Sequence, residues 1–357
     1  MTQRTRKNII ILSVTLLLAI VVVVVLLTRN NSTLDQEFNV EDAQNITRIY
    51  MEDRDNHHVD LVKQDSAVWI VDGQWKASYE AIRTSLLNTL EEMRVREPVA
   101  RAAHPQVIRN LSSRSVKVDI YEKKYRVHIG NFIKWFPYEA LSKSIYVGSE
   151  TPDNMGTYML LKGSKEPCVV HIPSFKGFLT TRFNTNPNIW RSHEIISYRP
   201  MAIGSIRIEI PQKPDESFEL VRNGKSFDFR LLSTNRLLPQ FDTGKVVSLI
   251  SSFASLNYED IANKIDQIQR DTIFSHPPSF DIRVTDTAGN STRLRTYIRL
   301  AEPETGVLPT DKDDFYEIFD VNRTYGVVDG IKDTLVLQYY VLDNILKPAS
   351  YYFIHKQ

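Results

Sequence analysis

The stretch VWIVDGQWKASYEAIRTSLLNTLEEMR, Val68 to Arg94, reads as a strand, a turn and a helix, and FDFRLLSTNRLLPQFDTGKVVSLISSFASL, Phe227 to Leu256, repeats that order. Leu86, Leu87, Leu90 and Met93 of the first recur as Leu249, Ile250, Phe253 and Leu256 of the second. Offsets of one, four and seven place such side chains on one helix face. Each stretch therefore predicts a helix that lies as a lid on a sheet. Ser78 and Asp242 stand where an N-cap is wanted, because a short side-chain oxygen accepts a bond from the exposed first-turn amides.

The likeness extends in both directions. Upstream, ITRIYMEDRDNHHVDLVKQDSAVWIV (Ile46 to Val71) alternates apolar and polar residues over short runs, and IGSIRIEIPQKPDESFELVRNGKSFDFR (Ile203 to Arg230) does the same. Such runs broken by polar turns predict antiparallel strands. Downstream, SVKVDIY (Ser115 to Tyr121) matches SFDIRVT (Ser279 to Thr285), and YRVHIGN pairs with TRLRTYI. GTYMLLKGSKEPCVVHI is set against DFYEIFDVNRTYGVVDGI, which equates Tyr158 with Tyr316, and Val169 and Val170 with Val327 and Val328. A series of matches in one order is what internal duplication predicts.

Ahead of the repeats, residues 9–27 hold no charge, and 19 residues make roughly 28 Å of helix at about 1.5 Å each. That nearly spans a hydrocarbon core of about 30 Å, and it exceeds the apolar region of a cleaved signal peptide. Arg4, Arg6 and Lys7 precede the run and Arg29 follows it, so the positive-inside bias places the N-terminus in the cytoplasm. The expected plan is a cytoplasmic start (1–8), a transmembrane helix (9–27), a polar tether (28–44), a first α+β repeat (45–202) and a second (203–357). The fold class expected is α+β, an N-terminal transmembrane helix followed by two tandem repeats of antiparallel sheet with packed helices. Such a chain is expected to cross the cytoplasmic membrane once and to hold its body outside it. After residue 29 the chain carries 40 basic and 43 acidic side chains and no basic run, which argues against nucleic acid as partner.

ITRIYMED leading to VDLVKQDSAVWIV, the helix after it, and VHIGN followed by IYVGS and GTYMLL resemble a known family. It is the membrane-anchored bacterial domain of unknown function often encoded beside ABC-type transport permeases and gliding-motility auxiliary proteins. The resemblance covers nearly the whole body. It implies an envelope protein, single-pass in the bacterial inner membrane with its body in the periplasm, that serves as an accessory part of a transport system, and it supplies no catalytic residues. The insert FIKWFPYEALSK departs from the simple pattern.

No phosphate-binding loop, nucleophile elbow or paired-histidine helix occurs. His57 and His58 are adjacent in a hairpin turn, where their side chains diverge, and the other histidines stand alone. The acids Asp311, Asp313, Asp314, Glu317 and Asp320 are numerous enough for a Ca²⁺ site, but their spacing misses the EF-hand loop, and a solvated loop is the plainer reading. Cys168, the one cysteine, reads as a small apolar strand residue. DSA, DTI, DTA and DTL have the form of a bacterial O-glycosylation signal, which three residues specify only weakly. Trp135, Phe136 and Tyr138 are the local feature suited to partner contact, although rings in such an insert more often fold back on their own core. The reading is thus a non-enzymatic binding or scaffold body with no cofactor and no metal, contacting protein partners such as transporter permease subunits. The alternative is an envelope hydrolase with a site gathered from distant residues, for instance His128 and His171 with Asp119.

Overall fold

The structure, a computed structural model, describes Thr15 and residues 38–65, 67–129, 133–263, 265–301 and 319–354. The chain divides into two units, Met1–Arg191 and Ser192–Gln357. Each is built on a nine-stranded antiparallel sheet. The first contains β1 (Ile46–Glu52), β2 (His58–Lys63), β3 (Trp69–Val71), β4 (Trp75–Lys76), β5 (Arg94–Pro98), β6 (Val116–Ile129), β7 (Ile133–Glu150), β8 (Thr157–Leu161) and β9 (Cys168–His171). Their spatial order is β4-β3-β2-β1-β6-β7-β8-β9-β5.

β10 (Glu194–Ile196) pairs with β15 (Leu256–Asn257) and so belongs to the second unit. The second sheet holds β11 (Ile203–Glu209), β12 (Phe218–Asn223), β13 (Ser226–Leu231), β14 (Leu237–Leu238), β16 (Asp260–Ile261), β17 (Phe280–Asp286), β18 (Ser291–Leu300), β19 (Phe319–Val328) and β20 (Leu335–Gln338). Its order, β14-β13-β12-β11-β17-β18-β19-β20-β16, repeats the first strand for strand. Register repeats as well. Ile49 sits between Leu61 and Ile120, as Ile206 sits between Leu220 and Val284. A register irregularity falls after the first residue of β1 and again after the first residue of β11.

One face of each sheet is apolar because alternate side chains of a strand point the same way. Ile49, Met51, Val118, Ile120 and Ile145 are buried in the first core; Ile206, Ile208, Ile282, Val284 and Leu294 fill the equivalent places in the second. The lid helices close these faces. In the first unit the lid is α1, a π-helical Ala81–Leu87 that continues as an α-helix over Asn88–Glu92. Two further helices are α2 (His104–Arg114) and α3 (Thr243–Ser252), the latter being the second unit's lid. Leu86, Leu87, Leu90 and Met93 are all buried, and so are Leu249, Ile250, Phe253 and Leu256.

Ser78 accepts from the Ala81 amide at 3.2 Å and Asp242 from the Lys245 amide at 3.1 Å. Ser78 lies one position farther from Leu86 than Asp242 lies from Leu249, so the first copy has a residue more to accommodate. The π turn absorbs it: the Asn88 amide reaches back five residues to the Arg83 carbonyl. The reverse face of each sheet is partly covered by α2 in the first unit and by α4 (Gln267–Phe274) in the second, where small clusters form around Leu111 and Tyr297.

Two expectations are corrected. The described helices reach roughly a dozen residues, whereas about 20 are needed to cross a bilayer. Among the described residues no helix is long and apolar enough to cross a membrane. Apart from Thr15, the segment 9–27 itself lies outside the described residues. The architecture is accordingly two large, mostly antiparallel sheets with short helices. An α+β body led by a transmembrane helix is not what is found, and the single-pass inner-membrane placement falls with it.

Candidate functional site

β6 and β7 run well past their neighbours. β1 pairs with β6 only as far as Glu122, and β8 meets β7 only from Ile145 onward, yet β6 and β7 stay paired from Val116↔Val147 out to Ile129↔Ile133. The outer part is a two-stranded ribbon. Such a hairpin is marginal alone in water and needs a sheet at its root. Thr47 supplies one tie, donating to Glu139 at 2.6 Å, and Lys143 supplies another by donating to the Asn39 carbonyl.

Trp135, Phe136 and Tyr138 lie on this ribbon with relative exposures of 61%, 65% and 42%. They do not fold back on the core: among the described residues, β1 and β8 stop pairing with β6 and β7 before this part of the ribbon. Trp135 and Leu141 stand opposite Val127 and Tyr121 on the reverse face, whereas Tyr138 stands opposite Lys124 on the other. Phe136, between them, has a φ of 56°, an uncommon conformation for a bulky residue. The ribbon thus presents large apolar groups on both faces.

Cations accompany the rings. The Arg126 guanidinium lies 5.9 Å from the Tyr138 ring centre and the Lys123 ammonium 5.7 Å from that of Tyr125. Toward the sheet the series continues on the reverse face, where Arg48 sits 5.2 Å from Tyr121 and 6.0 Å from Tyr50, and Tyr50 lies 5.9 Å from His58. Asp60 holds Arg48 from the side through two bonds of 2.7 and 2.9 Å, which raises the guanidinium pKa. Exposed cation–π contacts are individually worth about 0.5–1 kcal/mol, so their main effect is to keep the stripe ordered. Sequence reasoning missed Arg48, Tyr50, Tyr121, Lys123, Tyr125 and Arg126. The signal available was the alternation of aromatic and basic residues at period two in YEKKYR.

Other sequence candidates separate. Asp119 is buried and accepts from Ser144 and from Lys117, the latter at 2.6 Å, a bond that raises the Lys117 pKa. His128 is nine positions farther along β6, about 30 Å at ~3.3 Å per residue, and His171 is on β9, three strands across the sheet. These three residues do not form one site. The β1–β2 turn does gather Asp53, Asp55 and His57. Burial pushes the Asp53 carboxyl up, but bonds from the Thr185 hydroxyl, the His57 ring and the His57 and Asp55 amides outweigh it and hold the pKa below its usual value. These contacts close the turn. Of the later carboxylates, Asp311, Asp313, Asp314 and Glu317 lie outside the described residues; Asp320 pairs with Arg299 at 2.7 Å.

Cys168 is buried in β9, and burial pushes its thiol pKa up, so little thiolate exists near neutrality. A soluble thiol reagent is expected to leave the folded protein unlabelled and to modify one thiol after denaturation. Rapid labelling of the native chain would reject the assignment.

In the second unit the equivalent polar positions carry different chemistry. Register equates Tyr50 with Arg207, Lys117 with Asp281, Asp119 with Arg283 and Ser144 with Arg293. Arg293 and Asp281 join in a two-bond ion pair that raises the Arg293 pKa. Fold and site together define a class: a β-rich body of two like-ordered sheets, one of which extends an exposed aromatic and basic ribbon. The chain belongs to the family described as a domain of unknown function (DUF4340), matched over residues 84–272, from within α1 to within α4. No curated protein and no solved structure matches it.

Proposed function

We propose that this chain is a non-enzymatic binding and scaffold protein whose contact element is the β6–β7 ribbon. The observation that carries this reading is the contrast between equivalent positions. Where both sheets face their cores the residues match in kind, Ile49 with Ile206 and Ile120 with Val284. Where they face outward, the residues diverge in charge and shape. A duplicated scaffold needs its cores and is free to vary its surfaces, and function then lies in a surface grafted onto the fold. Large apolar side chains exposed together, as Trp135, Phe136, Tyr138 and Leu141 are, mark an interaction site more readily than apolar residues scattered singly over a surface.

The resemblance noted in the sequence supports the identity of the surroundings: a bacterial multi-component machine for ABC-type transport or motility, which this chain serves as an accessory part. The test is a pull-down with the tagged full-length chain. Co-recovery of permease and nucleotide-binding subunits is expected, and the double substitution Trp135→Ser/Phe136→Ser is expected to abolish it. Both side chains are exposed, so the melting temperature should stay within a few degrees of wild type. A chain recovered alone, or a variant that keeps its partners, would reject the reading.

A further inference from the structure

We propose that the second unit binds a small amphiphilic anion, an apolar chain ending in one carboxylate, in a groove between its lid helix and the β12–β13 hairpin. This goes beyond the ribbon as contact element and does not rest on it. The groove holds about 380 Å³ and is walled by the 3₁₀ turn Pro200–Ala202, the hairpin and α3. A groove of about 470 Å³ occupies the same place in the first unit, between the 3₁₀ turn Ala43–Asn45, the β2–β3 pair and α1. Register equates Lys63 with Arg222 and Trp69 with Phe227, and counting from the caps Ser78 and Asp242 equates Ile82 with Val246. These residues line the two grooves, so the duplication carried the groove as well as the core.

The first unit serves as an internal control for what the fold alone requires. The second residue of each turn is Gln44 in the first unit and Met201 in the second; the fifth residue after each cap is Arg83 in the first and Val247 in the second. Polar side chains therefore suffice at both positions for a sheet with its lid. In the second unit Met201 and Val247 are 73% and 60% exposed, and both line the groove together with the more deeply buried Phe227 and Val246. Phe241 adds a ring where the first unit has Ala77. Apolar surface held in water is unfavourable by roughly 25 cal/mol per Å², and a ligand that covers it recovers that free energy.

The anionic end follows from the cations. Arg222 donates from Nε to the Ile203 carbonyl at 2.6 Å and from Nη2 to the Pro200 carbonyl at 2.7 Å, with its guanidinium 4.5 Å from the Phe227 ring centre. Those bonds hold it in place and use two of the five guanidinium N–H donors, which leaves the others for an acceptor in the groove. Lys63 likewise donates to the Gln44 carbonyl at 2.7 Å, so a cation ties the turn in both copies. Lys225, on the β12–β13 turn, adds a second cation to the second groove, and among the described residues no carboxylate lines either groove. A ligand carboxylate beside Arg222 and Lys225 thus meets attraction without a competing acid. The lid lines the groove from Thr243 to Ser251, about 12 Å at ~1.5 Å per residue. That length suits a medium-length chain and is too little for the roughly 800 Å² per partner that a stable protein interface buries.

The test is decanoate, titrated below its micellar range into the full-length chain and followed by calorimetry. One site per chain is expected. All four tryptophans lie in the first unit, so binding in the second should leave tryptophan emission unmoved, whereas decanoate on the ribbon or in the first groove would shift Trp135 or Trp69. Met201→Gln/Val247→Gln should weaken binding by about tenfold or more. Its melting temperature should match wild type, since the first unit carries polar side chains at those positions. Lys225→Glu should weaken decanoate by roughly three- to tenfold and leave decanol, which has the same chain and no charge, unaffected. Absence of binding, wild-type affinity in the glutamine variant, tryptophan emission that moves with saturation, or an equal response of decanoate and decanol to Lys225→Glu would each overturn the proposal. So would a dimer in sedimentation that the glutamine variant dissolves, because a second copy would then cover the groove.

Discussion

Replacement of Phe229 by alanine is expected to destabilise the second unit by about 3–5 kcal/mol, the range for deleting a buried ring. Phe229 is almost fully buried and stacks on Phe218 with ring centres 4.8 Å apart and planes 16° from parallel. Tyr352 and Phe241 close the cluster, each with its ring centre 5.6 Å from that of Phe229. Alanine would remove the partner of three aromatic contacts and leave a void that the surrounding strands close only in part. The same positions of the first unit are Val59 and Val71 in place of Phe218 and Phe229. The second unit depends more heavily on rings, and Tyr352, brought in by the C-terminal segment, completes them.

Denaturant unfolding followed by circular dichroism, with hydrogen exchange read on peptides from β12 and β13, measures the effect. At about 2–4 °C per kcal/mol for a unit of this size, the melting point should drop by on the order of 10 °C. A loss below about 1 kcal/mol would mean that the cluster is not a principal support of this core.

Why some of this organisation can be read from sequence and some cannot follows from which interactions are local. The strands Ile46–Glu52 and Ile203–Glu209 are legible because burial recurs at alternate residues within each run. The lids are legible because Leu86, Leu90 and Met93 repeat at helical spacing and Ser78 supplies a local cap. The extra residue in α1 is not legible, because a π turn and an α turn differ in hydrogen bonding and not in residue type.

The later strand matches fail for another reason. Register equates Thr157–Leu161 with Thr324–Val328, and Val169 with Val336, so TYMLL corresponds to TYGVV and Tyr158 to Tyr325. The expected partners were Tyr316 for Tyr158 and Val327 for Val169. Insertions fall at different hairpins in the two copies, between β6 and β7 in one and between β18 and β19 in the other, so no constant offset can align them. Hairpin ends accept added length at little thermodynamic cost. The ribbon's rings were visible as composition, but their exposure depends on where β1 and β8 stop pairing, a non-local fact.

The corrected register exposes a packing exchange, and with it the second large effect. Met159 faces Cys168 in the first unit; at the equivalent place Gly326 faces Leu335. Leu294 and Leu337 fill the space that a side chain at Gly326 would need, and a Cβ there would fall well inside the van der Waals contact distance of the Leu337 Cδ1 atom. Gly326→Ala is therefore expected to cost about 1–3 kcal/mol as an overpacked core, despite alanine's lower backbone entropy cost. The first unit indicates the remedy, since Val170 stands where the second has Leu337. Leu337→Val alone opens a small void and should cost about 0.5–1.5 kcal/mol, by analogy with Ile→Val. Combined, the void of one substitution accepts the methyl of the other, so the double variant should be more stable than the sum of the single losses by about 1 kcal/mol or more. Chemical denaturation of the four proteins in this cycle decides the matter. Strict additivity would show that Leu337 does not press on Gly326, and that the glycine is there for some reason other than the leucines packed over it.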